Sequence, residues 1–152
     1  MCIVLPSALQ SCKVNNGDIG LLYGTWFVSA MEVDGQPYEG WRSDKRQDTF
    51  FQFQNNICFV TSVDGHHQAE SRVCTWQWVE DQTVISLDFT HHDDNYPTPM
   101  PDGYMYGAPA WLLLTQPGVY QFDVVWKDDK HTTWTTVNTE GQRLTYHLQK
   151  TW

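Results

Sequence analysis

Apolar and polar residues alternate along most of this chain with a period of two. Over 119–127, Tyr120, Phe122, Val124 and Trp126 fall on one face against Gln121 and Asp123. Over 83–90, Ile85, Leu87 and Phe89 oppose Ser86 and Asp88, and over 142–150, Leu144, Tyr146 and Leu148 oppose Arg143, Thr145 and His147. Over 71–80, Cys74, Trp76 and Trp78 oppose Thr75 and Gln77. Side chains leave a strand on opposite faces in turn, so each run predicts a strand with one buried side. Further strands are predicted at 21–31, 49–54, 57–63, 111–114 and 131–138. Between them stand turn residues: Asn55-Asn56, Asp64–Gln68, Asp81-Gln82, Gln116-Pro117-Gly118, Asp128-Asp129 and Glu140-Gly141. Two-residue turns of this kind tolerate positive φ and match the twist of a hairpin. The chain shows no helical periodicity. Nine short strands joined mostly by hairpins, with no crossover needed, predict an all-β fold: an antiparallel up-and-down barrel of eight to nine strands.

Three stretches stand outside this rhythm. In the first strand Trp26, Val28 and Ala30 point one way and Phe27 and Ser29 the other. Apolar residues on both faces predict a cover over its start, a lid or short helix. Residues 32–48 are too polar and too punctuated for a strand throughout and read as a long first connection, in which Trp41 is a packed anchor or a ligand contact. Residues 95–109 carry four prolines and three tyrosines. A loop of such length in a small domain is usually functional or disordered. Tyr96, Tyr104, Tyr106 and Trp111 would be its contacts, as a lid over the barrel mouth or a face for a partner, unless they are tucked against the rim.

Composition narrows the function classes. At 152 residues the chain is one domain by size, with residues 21–152 forming the barrel. Eight Trp, seven Tyr and seven Phe suit strands and flat ligand surfaces alike. Nine Lys and Arg against a net charge of −9 leave no basic patch, which argues against nucleic acid and against an anionic membrane surface. No apolar run approaches the ~20 residues of a membrane-spanning helix. No nucleophile elbow, phosphate loop or His–Glu zinc motif occurs, and Asp88 and Asp123 face outward on the alternation, so no enzyme and no cofactor are expected. His91-His92-Asp93-Asp94 and His66-His67 lack the spacing of an ordered metal site; a solvated acidic loop is the better reading, and no metal is expected.

The cysteines address the compartment. Leu9-Gln10-Ser11-Cys12 resembles a bacterial lipobox. The resemblance implies cleavage before Cys12, lipidation of its thiol, and a mature protein anchored in the cell envelope, periplasmic or at the outer membrane. Residues 1–20 then form a signal segment and tether, and the absence of Lys and Arg before Cys12 suggests that the true start lies further upstream. Cys58 and Cys74 lie eight residues either side of His66, so a hairpin centred there sets them opposite one another. In an oxidising compartment such a pair is expected to close as a disulfide; otherwise the two are buried free thiols.

Gly24-Thr25-Trp26 on the first strand resembles the G-x-W signature of lipocalins, and residues 21–150 as a whole resemble bacterial lipocalin-like lipoprotein domains. The resemblance implies a calycin-type barrel with a cavity open at one end. It also implies that Gly24 and Trp26 close the other end, with a basic residue of the last strand, Lys150, packed over the indole. The function implied is binding of a small apolar or amphiphilic molecule, with Trp76, Trp78, Phe122, Trp126 and Trp134 as cavity candidates, each of which could equally be plain core. Two alternatives belong to other classes. One is a carbohydrate-binding accessory protein using Tyr104, Tyr106 and Trp111; the other is a structural subunit of an envelope complex with a filled barrel and a protein partner.

Overall fold

The computed structural model describes residues 19–43, 46–66, 68–90, 104–105, 107–115 and 118–151, with backbone alone at 104–105. Among the described residues there are ten strands: β1 (Gly24–Val33), β2 (Gln36–Pro37), β3 (Asp48–Gln54), β4 (Ile57–Val63), β5 (Ala69–Glu80), β6 (Val84–Asp88), β7 (Tyr104–Met105), β8 (Val119–Asp128), β9 (His131–Val137) and β10 (Arg143–Lys150). Eight of them close an antiparallel barrel in the order β1, β3, β4, β5, β6, β8, β9, β10 and back to β1. The short β2 pairs with the end of β1, and β7 lies parallel to β5 beside Ser71 and Arg72.

Hairpins do most of the joining, as the alternation predicts. At Asp34-Gly35 both turn residues have positive φ, 51° and 81°, which is type I′ geometry. Asn55 and Gln82 also take positive φ, at the β3–β4 and β5–β6 turns. The turn at Asp34-Gly35 makes a hairpin of β1 and β2, so the expected long connection is shorter than its sequence suggests. Pro37 sits on an edge, where its missing N–H costs no ladder bond.

Two expectations need correction. The β1–β10 register slips between Val28 and Ala30. This bulge at Ser29 turns Ala30 outward and carries Met31 into the core, reversing the alternation read from the first strand. The strand expected at 111–114 is instead a 3-10 turn, Ala110–Leu112, ended by Leu113 in the left-handed region at φ 62°. Trp111, Leu112 and Leu114 are all buried. A strand would turn one of each adjacent pair outward; the tight turn lets consecutive apolar residues face the same core.

Candidate functional site

The inner wall is built from every second residue of each strand, and the barrel interior divides into a floor, a middle and a mouth. At the floor the 3-10 turn Gly20–Leu22 covers the start of β1, the short helical cover that the two-faced sequence predicts. The Trp26 indole N–H donates to the Leu22 carbonyl at 2.9 Å. Lys150 stands opposite Trp26 in register. Its ammonium lies 5.6 Å from the centre of that ring and donates to the Leu21 carbonyl at 3.1 Å. Gly24, at φ 118°, begins the strand in a conformation that favours glycine. Trp126 belongs here too: it meets Trp26 edge-on at 5.7 Å and donates to the Gln82 carbonyl at 2.8 Å.

The middle is aromatic. Trp134 is fully buried, with Phe51, Phe53 and Phe122 at ring-centre distances of 5.7, 5.7 and 5.5 Å. Tyr146 packs against Phe51 and Phe122. Trp76 meets Phe53 at 5.7 Å and Trp78 at 6.1 Å. Four of the cavity candidates, Trp76, Trp78, Phe122 and Trp134, are thus joined through Phe53 and Trp134, while Trp126 stands apart at the floor.

The mouth is capped. Trp111 donates to the Thr49 hydroxyl at 3.2 Å, the Tyr146 hydroxyl donates to the Leu112 carbonyl at 2.6 Å, and the Asn138 amide donates to the Leu113 carbonyl at 3.2 Å. Trp111 is therefore a lid residue seated in the mouth. Trp41 is buried in the same core, with Arg42 stacked on its ring at 4.3 Å. Tyr104 contributes backbone pairing to Ser71. Tyr96, Tyr106 and Cys12 lie outside the described residues, as does the His91–Asp94 cluster.

Polar groups in this interior are sparse and mostly matched. Thr132 and Thr136 return their hydroxyls to the carbonyls of Val125 and Gln121 at 3.0 and 2.7 Å. Burial pushes the Tyr146 phenol well above its ordinary value, with the nearby Tyr120 adding to the shift. Three indole N–H groups are different. Those of Trp41, Trp76 and Trp134 are buried and meet no acceptor among the described residues. A buried unmatched donor costs roughly 1–3 kcal/mol.

Cys58 stands directly opposite Cys74, in the register the hairpin predicts. The expected disulfide is absent: both are buried free thiols. Burial, reinforced by a hydrogen bond with Cys74, pushes the Cys58 thiol well above its ordinary value. A neutral thiol is a weak nucleophile and packs as a small apolar group.

Sequence reasoning missed one group. β5 begins two residues earlier than expected, at Ala69. Its inward alternation therefore continues back from Cys74 to Arg72 and Glu70, which stand opposite the buried Val60 and Ser62. Glu70 accepts from Arg72 at 3.1 Å and from Arg46 at 3.3 Å, and the Arg46 guanidinium lies 5.2 Å from the centre of the Trp111 ring. Carrying the alternation two residues upstream would have found Arg72; nothing local marked Arg46.

No family model matches this sequence, and no curated protein does. Solved structures do. The chain is similar to an uncharacterized protein from Bacteroides eggerthii, at 16% identity and a TM-score of 0.54, over 84% of this chain and 98% of that one. It is similar as well to a lipocalin-like protein from Bacteroides uniformis, at 18% identity and a TM-score of 0.52, over 86% and 99% of the two chains. Likeness at such identity carries the architecture alone: the fold is lipocalin-like.

Proposed function

We propose that this lipocalin-like barrel binds a small apolar or amphiphilic molecule in its interior, as an exported protein held in the bacterial cell envelope by a lipid on Cys12. The observation that carries the binding reading is the pair of buried indole N–H groups on Trp76 and Trp134, which meet no acceptor among the described residues in a largely aromatic wall. A ligand bearing a carbonyl, ether or hydroxyl oxygen would satisfy them while its apolar body gains about 25 cal/mol per Å² buried. Leu9-Gln10-Ser11-Cys12 supports the export reading.

The test is native mass spectrometry, with lipid extraction, of protein taken from its own envelope fraction. A co-purifying small molecule, lost in Trp134→Phe while the fold persists, is the expected result. That substitution keeps an aromatic ring and removes the donor. A mass with no bound molecule would favour the second reading, a filled barrel serving as a structural subunit, which the rings packed around Trp134 support. The same spectrum reads the anchor, as an acyl chain on Cys12.

A further inference from the structure

We infer that a groove on the outer wall, where β8 and β9 part, binds a small zwitterion of the amino-acid class, with Arg143 taking its carboxylate and Asp123 its ammonium. The groove lies outside the barrel, so the inference stands apart from the reading that the interior holds a ligand.

The groove has its origin in the sheet. From the floor, the β8–β9 ladder runs only as far as Asp123–Thr135. One step further Gln121 would pair with Val137, and it does not. Backbone groups of alternate residues in a strand face opposite neighbours. The Val124 N–H donates to the Thr83 carbonyl on the β6 side at 2.8 Å, so Gln121 turns its own N–H and carbonyl towards β9. There the buried Thr136 hydroxyl donates to that carbonyl at 2.7 Å, and the Gln121 N–H is left without a ladder partner.

Two rows of side chains border the opening. Gln121, Val137 and Arg143 stand in one row across β8, β9 and β10, with Val84, Asp123 and Thr135 in the next. The groove between them holds about 260 Å³. Val84 and Val137 supply apolar contact for a short methylene body, and a few polar groups stand around them, as in other small-molecule sites.

The charges of the groove are unengaged. The ion pairs among the described residues are Arg46–Glu70, Arg72–Glu70, His131–Asp128 and His147–Glu32, and neither Arg143 nor Asp123 enters one. These two stand two strands and two residues apart, about 12 Å between Cα atoms at ordinary sheet spacings. Opposite charges thus border one groove with a span between them. A lone anion there would also face Asp123, and a lone cation would face Arg143; a molecule carrying both signs is opposed by neither. Arg143 is held in place as well. Its N–H donates to the Asp34 carboxylate at 2.9 Å, and its carbonyl accepts from the Asp34 N–H at 2.8 Å. The planar guanidinium suits a carboxylate, and the Gln121 N–H offers a second donor in the same row.

The experiment titrates the full chain at neutral pH and follows its backbone amides by NMR. Three zwitterions of increasing span serve as rulers: β-alanine, γ-aminobutyrate and ε-aminohexanoate. Butanoate and butylammonium are the singly charged controls. Exposed ion pairs are individually weak, so binding is expected in the millimolar range. One zwitterion should bind at least fivefold more tightly than either control and shift the amides of Gln121, Thr135 and Val137. Arg143→Gln should reduce its affinity to that of butylammonium, and Asp123→Asn to that of butanoate. Both side chains are exposed and Arg143 keeps its backbone bonds, so urea midpoints should be unchanged. A control that binds as tightly as the best zwitterion overturns the site, as does a zwitterion whose affinity survives both substitutions. If no probe shifts these amides, the groove is plain surface.

Discussion

Lys150 and Trp26 show how two residues at opposite ends of the barrel chain hold one corner. The ammonium faces the indole and also ties down the Leu21 carbonyl, so it fixes both the ring and the turn that covers it. Lys150→Met keeps the aliphatic stem and removes both contacts; the expected loss is about 1 kcal/mol by urea unfolding. The Cys58 thiol gives a second prediction. Its ordinary value is 9.0 and burial raises it, so above that pH the unfolded chain sheds a proton that the folded one retains. The native state then binds more protons, and stability falls as pH rises. Tyr146 repeats the argument from 10.0 upward. For the reduced protein, urea midpoints should hold steady below pH 9.0 and decline above it, the first part of the decline disappearing in Cys58→Ala.

At the scale of elements, the strands were legible because a period of two survives local accident. β3, β4, β6, β8, β9 and β10 fall where the alternation places them, to within a residue or two at most ends. What the pattern could not show were the places where tertiary packing overrides it. The bulge at Ser29 shifts one strand by a single position, and a shift of one reverses every face beyond it. Trp111-Leu112-Leu113-Leu114 reads as a strand because it is a short apolar run between turn residues; its left-handed Leu113 and its bonds to Tyr146 and Asn138 depend on partners 25 to 34 residues away. The aromatic candidates were readable as inward but not as mutual neighbours, since ring contacts depend on which strands adjoin. The Arg46–Glu70–Arg72 group was hidden for a simpler reason: Arg72 falls within the expected strand, but Glu70 lies just before it and Arg46 in a distant connection. The cap carries a prediction of its own. Trp111→Ala should cost about 3–5 kcal/mol, the range for a buried Trp cut to Ala, and should speed amide exchange at 112–114 before exchange rises elsewhere.

For the whole molecule, closure matters more than any one strand. Every barrel strand has a neighbour on both sides, so no long edge is left open to pair with another chain. The pairing that completes the ring joins Trp26 to Lys150, the first strand to the last. Residues 27 to 149 lie between these partners, and the entropy of bringing them together is lost before their contacts form. Such topology folds on the millisecond-to-second scale rather than in microseconds. Synthesis adds a delay of its own, because β1 stays unsealed until β10 has left the ribosome. For that interval the ring stands open, and the seam acts as a clock that holds off the final shape until the last barrel strand has been made.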